Sequence, residues 1–136
     1  EIAEQAIRRD HAGKHILLAE DEPINREIAQ MLLEDVDLKV DVAEDGQQAV
    51  EKARSGLYAI ILMDMQMPVL DGLGATRQIR QLPGCAELPI LAMTANAFAE
   101  NKDQCLDAGM DDFITKPAKP ELLYEKLLKW LEKGRG

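Results

Sequence analysis

Three acidic residues, a hydroxyl and a lysine each follow an apolar run of the chain. The carboxylates belong to Glu20, Asp21 and Asp64, the hydroxyl to Thr94 and the amine to Lys116. Two carboxylates about 4 Å apart repel each other by on the order of 4 kcal/mol at an effective dielectric near 20. Mg²⁺, with Mn²⁺ as an alternative, relieves such repulsion because hard cations prefer oxygen ligands. If the three acids meet, they predict a metal pocket.

The same residue types suit the transfer of a phosphoryl group. An aspartate such as Asp64 can act as the nucleophile and form an aspartyl phosphate. Lys116 offers a flexible point charge for a second phosphoryl oxygen, and the Thr94 hydroxyl can donate to a third. Phosphoryl transfer depends mostly on positioning and charge neutralisation, which these groups provide together. Taken singly, each has an ordinary alternative, such as a helix cap or a solvated side chain.

For these residues to meet, the strands that carry them must end at one edge of a sheet. Apolar runs predict the five strands His15–Ala19, Lys39–Ala43, Ala59–Met63, Leu88–Met93 and Asp112–Thr115. Helical patterns predict segments beginning at Pro23, spanning Gln47–Arg54, Gly74–Leu82 and Ala99–Ala108, and beginning near Pro120. This alternation predicts an α/β fold with a doubly wound, five-stranded parallel sheet. Five units are too few for an eight-stranded barrel.

A flavodoxin-like strand order of 2-1-3-4-5 would make strands 1 and 3 neighbours. The acids that follow these strands would then converge where the chain order switches direction, the usual ligand site of such sheets.

Two features of the helix faces are also predicted from helical spacing. An apolar stripe of the kind that faces a core comprises Ile24, Ile28, Met31 and Leu32. Arg77 and Arg80 are expected on a solvated helix face.

Composition limits the classes of partner. The 136 residues carry a net charge of −9 and are 46% hydrophobic, which indicates one globular domain. The acidic balance disfavours direct binding to nucleic acid or to an anionic membrane surface. No apolar run reaches the roughly 18–20 residues of a membrane span. The two cysteines form no C-x-x-C motif and only two histidines are present, so neither a zinc site nor a disulfide framework is expected.

The termini fall outside the alternating pattern. Residues 1–13 are expected to be a linker or the remnant of a preceding region, although Ile2, Ala3, Ala6 and Ile7 have helical spacing. The folded domain is expected over residues 14–132, with a tail over 133–136. The first residue is Glu1 and no signal-peptide pattern follows, which favours a piece cut from a longer chain in a reducing compartment.

Four stretches resemble the receiver domain of two-component response regulators. They are I-L-L-A-E-D-E-P-I-N-R, L-M-D-M-Q-M-P-V-L-D-G, I-L-A-M-T-A-N-A and F-I-T-K-P-A-K-P. The match runs from about Lys14 to Trp130. The residues in these stretches are most similar to those in receivers of hybrid sensor histidine kinases. The resemblance implies a cytoplasmic phosphorelay receiver, whose parent chain could be membrane-anchored. It implies a histidine kinase or a histidine phosphotransfer domain as partner and leaves the oligomeric state open.

The resemblance also assigns residues to the metal and the phosphoryl group. Asp64 would be the phosphoacceptor, and Asp21 would bind Mg²⁺ directly. Glu20 would bind it directly or through water, and the main-chain carbonyl of Gln66 would complete the protein ligands. Glu20 stands where many members have Asp, so its extra methylene alters the first acidic contact. Such a domain assists its own phosphorylation and dephosphorylation but is no turnover enzyme.

The remaining family residues concern the switch. Thr94 and Phe113 match the switch pair, in which the hydroxyl moves to the phosphoryl group and the aromatic ring turns inward. Phe113 lacks the hydroxyl of the commoner Tyr, so its state would be sensed by packing alone. Lys116 matches the invariant lysine, and its bond to Pro117 is expected to be cis. Ala95 matches a small residue that leaves room for the phosphoryl group.

Three alternative functions share parts of this pattern. A phosphatase of the haloacid dehalogenase type needs a second Asp two residues after the nucleophile, where this chain has Gln66. An FMN carrier needs a hydroxyl-rich phosphate loop after strand 1, where this chain has the acids of residues 20–22. A receiver that acts as a scaffold without phosphorylation is the third, and the presence of Asp64, Thr94 and Lys116 argues against it.

Overall fold

The computed structural model describes residues 2–95, 102–116 and 118–133. Its strands are β1 (His15–Ala19), β2 (Lys39–Ala43), β3 (Tyr58–Asp64), β4 (Ile90–Thr94) and β5 (Asp112–Thr115). All neighbouring strands pair in parallel, and their order is β2-β1-β3-β4-β5. The predicted doubly wound sheet and its strand order are therefore confirmed. Pro117 and residues 134–136, most of the expected tail, lie outside the described residues.

Helices connect the strands and cover both faces of the sheet. They are α1 (Ala3–Asp10), α2 (Pro23–Glu34), α3 (Gly46–Ala53), α4 (Gly72–Arg80), α5 (Lys102–Ala108) and α6 (Pro120–Lys133). The side chains of Glu22, Asp45 and Asp71 accept hydrogen bonds from main-chain N–H groups in the first turns of α2, α3 and α4. These caps fix where each helix begins after its loop. The start predicted for α5, at Ala99, lies outside the described residues.

The sheet separates two apolar clusters. One contains Leu17 and Met63 and is covered by α3, α4 and α5. The other contains Ile16 and Leu62 and is covered by α1, α2 and α6. Successive residues of one strand enter opposite clusters because side chains alternate across a sheet. β3 is buried on both faces, so the residue at its carboxyl end, Asp64, has a rigid support.

A helix occupies most of the segment expected to be a linker. Ala3–Asp10 form α1, in which Ile7 is fully buried and Ala6 is 5% exposed. Both contribute to the apolar cluster that α2 and α6 cover, and the Arg8 guanidinium donates to the main-chain carbonyl of Asp35. The segment expected to be a linker or the remnant of a preceding region thus forms a helix packed on the core over these residues. The helical spacing of their apolar side chains gave them a face that α6 could bury.

Most of the apolar stripe predicted on α2 faces solvent. Ile24 is 65% exposed, Ile28 40% and Met31 55%, whereas Ala29 and Leu33 are buried. The helix packs through Ala29 and Leu33, with half-buried Leu32 beside them. Three large apolar side chains of α2 consequently remain uncovered.

Arg80 does not lie on a solvated face as predicted, although Arg77 is exposed. The Arg80 side chain is 15% exposed and forms an ion pair of 2.9 Å with Asp111. Its guanidinium also donates to the main-chain carbonyls of Cys85 and Gly109. Arg80 thereby joins the end of α4 to the segments before β4 and β5. Within the described ranges, no helix is long and apolar enough to cross a membrane.

Candidate functional site

The three predicted carboxylates converge at the carboxyl edge of the sheet, between β1 and β3. Glu20 and Asp21 follow β1, and Asp64 ends the neighbouring strand β3. One carboxylate oxygen from each residue lies within 4.8 Å of the other two. Glu20 and Asp64 are 1% and 3% exposed, and Asp21 is more accessible. A set of three carboxylates fits a hard divalent cation that keeps part of its water shell.

Lys116 brings a positive charge into this pocket from β5, two strands away from Asp64. Its Nζ lies 3.0 Å from Asp64 Oδ1 and 3.3 Å from Glu20 Oε1, and its main-chain N–H donates to the carbonyl of Thr94. Burial alone would lower the pKa of Lys116. The hydrogen bonds and negative charges of Asp64 and Glu20 outweigh burial and raise that pKa. The ammonium therefore stays charged at neutral pH.

Glu20 has an unusual proton affinity. Burial of its carboxyl, followed in size by its hydrogen bond with Asp64, raises the pKa of Glu20 from 4.5 to about 7. The main-chain N–H of Glu22, 3.1 Å from Glu20 Oε2, and the charge of Lys116 act in the opposite direction. Without a cation, the pocket therefore binds a proton more readily than an ordinary glutamate would.

The loop after β3 is held close to the phosphoacceptor candidate. The Gln66 N–H donates to Asp64 Oδ1 over 3.3 Å. A Cβ at Gly72 would collide with the main-chain carbonyl of Asp64, and one at Gly46 would collide with that of Leu70. Glycine at positions 46 and 72 thus permits the close approaches that fix this loop.

A γ-turn in the same loop exposes an apolar side chain. The Leu70 N–H donates to the Pro68 carbonyl over 2.7 Å, and Val69 between them has a φ of 70°. Such a backbone is strained for a β-branched residue. Val69 is 80% exposed, so its isopropyl group faces solvent beside the pocket.

The switch candidates occupy adjacent strands. Thr94 ends β4 half-buried, and exposed Ala95 follows it. Phe113 in β5 lies opposite Ala92 in β4 and packs against the cluster that α3, α4 and α5 cover. The predicted cis bond between Lys116 and Pro117 falls on a residue outside the described ranges.

Sequence reasoning missed a second cation beside the acidic residues. The Arg26 guanidinium donates to the main-chain carbonyl of Glu20 over 3.3 Å and lies 3.6 Å from the Glu44 carboxylate. It thereby ties the loop after β1 to the loop after β2. The N-R dipeptide at positions 25 and 26 was the available signal, because it lies one turn after the acidic residues.

Known proteins are similar to this chain in sequence and in fold. The model of the response regulator receiver domain family matches residues 16–128. The histidine-protein kinase BarA of Escherichia coli K12 is 40% identical over 115 residues, which cover 85% of this chain and 12% of BarA. Hybrid signal transduction histidine kinase I of Dictyostelium discoideum is 40% identical over 132 residues, or 89% of this chain and 8% of that protein. The chain thus spans a small part of these relatives.

Solved structures agree with this relationship. The receiver domain of the sensor histidine kinase PA1611 from Pseudomonas aeruginosa, which has a magnesium ion in its active-site cleft, is 42% identical with a TM-score of 0.84, over 89% of this chain and 99% of that one. The receiver domain of Saccharomyces cerevisiae Ssk1, crystallised with the phosphotransfer protein Ypd1, is 31% identical with a TM-score of 0.78, over 88% and 89% of the chains. Sequence, strand order and the clustered acids lead to one conclusion: the chain belongs to the response regulator receiver domain family.

Proposed function

We propose that this domain is the phosphoacceptor of a two-component phosphorelay and that Asp64 takes a phosphoryl group from a phosphohistidine. One observation carries the proposal: buried Asp64 lies within 4.8 Å of carboxylate oxygens of Glu20 and Asp21 and 3.0 Å from the Lys116 ammonium. A nucleophile, a set of metal ligands and a mobile cation thus share one pocket. Glu20, Asp21, Asp64 and the main-chain carbonyl of Gln66 would hold Mg²⁺ or Mn²⁺, which when bound neutralises charge on the acids and on phosphoryl oxygens.

The residues divide the transfer between them. A carboxylate oxygen of Asp64 attacks phosphorus, the bond between phosphorus and the histidine nitrogen breaks, and its electron pair stays on the imidazole. Lys116 follows the phosphoryl oxygens on its flexible stem, and the Thr94 hydroxyl donates to another oxygen. Ala95 leaves space for the group. Thr94 moves toward the phosphate, and Phe113 then repacks inward.

The donor is a histidine phosphotransfer domain or a histidine kinase. Its imidazole must lie over Asp64, so its surface must also cover the start of α2 and the loop after β3. Those elements expose the apolar side chains of Ile24, Ile28 and Val69. A donor with an apolar face around its histidine would bury them.

The architecture of the relatives suggests the context of the domain. We place it in a hybrid sensor histidine kinase, on the cytoplasmic side, with the receiver over residues 14–132 and α1 preceding it. In that context the domain has no turnover activity of its own. It holds a phosphoryl group and assists the loss of that group.

The test is phosphorylation by a small donor. The protein is incubated with acetyl phosphate and Mg²⁺, and its intact mass is measured. The wild type should gain one phosphoryl group, whereas Asp64→Asn should gain none. Asp107→Asn, which removes an exposed carboxyl from α5, should behave as the wild type. A wild type that binds no Mg²⁺ and keeps its mass would leave the scaffolding alternative in place.

A further inference from the structure

The carboxylate of Asp112 joins the switch strand to the last helix. Phe113 packs towards the cluster under α3, α4 and α5, whereas Asp112 faces α6 on the opposite side of β5. Asp112 Oδ1 accepts from the Phe113 N–H over 2.8 Å and from Lys126 Nζ over 2.7 Å. Its Oδ2 accepts from Trp130 Nε1 over 2.9 Å. One carboxylate therefore connects the main chain of Phe113 with two turns of α6.

These bonds give α6 a directional attachment to β5. Hydrogen bonds to a charged group are shorter and stronger than neutral ones, and the Asp112 side chain is only 16% exposed. Burial alone would raise the pKa of Asp112, but the donors on Lys126, Trp130 and Phe113 outweigh it and lower that pKa. The inner face of α6 contacts the sheet through Leu123 and Leu127, whose apolar packing is non-directional.

We propose that Asp112 is a positioning residue that couples Phe113 to α6, so that repacking of Phe113 moves the helix surface around Trp130. The inference rests on the proposed function, because phosphorylation of Asp64 is what would repack Phe113. When the Phe113 main chain shifts, the Asp112 carboxylate must either move with it or lose that bond. Either change alters the acceptor available to Trp130. α1 packs on α6, so the effect would extend to the start of the chain.

Trp130 provides a direct readout of this coupling. It is the only tryptophan of the chain. Besides its bond to Asp112, its ring lies 5.3 Å from Lys129 Nζ and 4.8 Å from Lys133 Nζ. Its emission therefore depends on charges that would be displaced if α6 moved relative to β5.

The experiment measures Trp130 emission and its quenching by acrylamide before and after treatment with acetyl phosphate and Mg²⁺, with intact mass recorded on the same samples. The wild type should change its emission in proportion to the phosphorylated fraction. Asp64→Asn should change neither mass nor emission. Asp112→Asn keeps the size of the side chain but offers one oxygen instead of two, so it cannot serve Phe113 and Trp130 together. It should gain the phosphoryl group and lose the emission change.

Two further variants separate coupling from general damage to the fold. Asp112→Glu retains both oxygens and should restore part of the emission change. Asp107→Asn makes the same change as Asp112→Asn at an exposed site on α5, and it should respond as the wild type. A phosphorylated wild type with unchanged emission, or a phosphorylated Asp112→Asn with the full change, would overturn the coupling. Absence of phosphoryl gain in the wild type would instead refute the proposed function.

Discussion

Binding of Mg²⁺ to this pocket should expel a proton from Glu20. The Glu20 carboxyl, with its pKa raised from 4.5 to about 7, is largely protonated at pH 6 and largely ionised at pH 8. A metal ligand must be deprotonated, so proton and cation compete for the same oxygens. The perturbation is thus a change of pH across a range in which an ordinary glutamate would stay ionised.

The size of the pH effect on Mg²⁺ affinity follows from the pKa of Glu20. About one-tenth of the molecules have an ionised Glu20 at pH 6 and about nine-tenths at pH 8, so the apparent Kd for Mg²⁺ should fall about tenfold over this range. Proton release should be close to one per cation at pH 6 and small at pH 8. Burial and Asp64 cause the raised pKa, so the effect belongs to the pocket rather than to the net charge.

Calorimetric titration with MgCl₂ in buffers of different ionisation enthalpy measures both the apparent Kd and the number of protons released per cation. Glu20→Gln should bind Mg²⁺ more weakly but with a Kd that no longer depends on pH. Glu44→Gln, which changes an exposed acid on the neighbouring loop, should retain the tenfold dependence. A wild-type Kd that is constant between pH 6 and pH 8, or a Glu20→Gln variant that keeps the dependence, would refute the reasoning.

Three substitutions test the framework, each by urea unfolding. Ile7→Ala should lower the free energy of unfolding by about 2–4 kcal/mol, because it leaves a cavity between α1 and α6, whereas Ile2→Ala at an exposed site should change it by less than about 0.5 kcal/mol. Gly72→Ala should cost about 1–3 kcal/mol and also weaken Mg²⁺ binding, because the new Cβ displaces the loop at Asp64. Arg80→Met should cost about 2–3 kcal/mol by removing the ion pair with Asp111 and the donors to two main-chain carbonyls, with Arg77→Met near zero. Equal effects within either pair would contradict the assigned contacts.

The sheet was predictable because parallel strands that are buried on both faces appear in the sequence as continuous apolar runs. The apolar run around Ile60 and the polar residue at each strand end specify both the strands and the edge at which they meet. The order 2-1-3-4-5 was the arrangement that would bring Asp64 beside Glu20, and the structure confirms it. Local spacing and sheet geometry thus determined the acidic pocket before any side-chain contact was known.

Which helix faces are buried was less predictable, because the helical spacing of apolar residues does not show which element covers them. The stripes of α1 and α2 look alike in sequence, yet Ile7 is fully buried and Ile24 is 65% exposed. Which stripe packs depends on the facing surface, since α6 has room for α1 and α2 packs through Ala29. Arg80 was missed for a related reason: its acceptors are main-chain carbonyls, which no sequence pattern displays.

Lys116 connects the electrostatics of the pocket with its proposed chemistry. Its ammonium lies between Asp64 and Glu20 and offsets part of their repulsion. The same bond occupies an oxygen of Asp64, and in the proposed transfer a carboxylate oxygen of Asp64 would attack phosphorus. A divalent cation on the acids would take over this neutralising role and free the ammonium for the phosphoryl oxygens, which a lysine on a flexible stem can follow. The pocket therefore needs a mobile cation rather than a rigid one, which is the physical reason for lysine at this strand end.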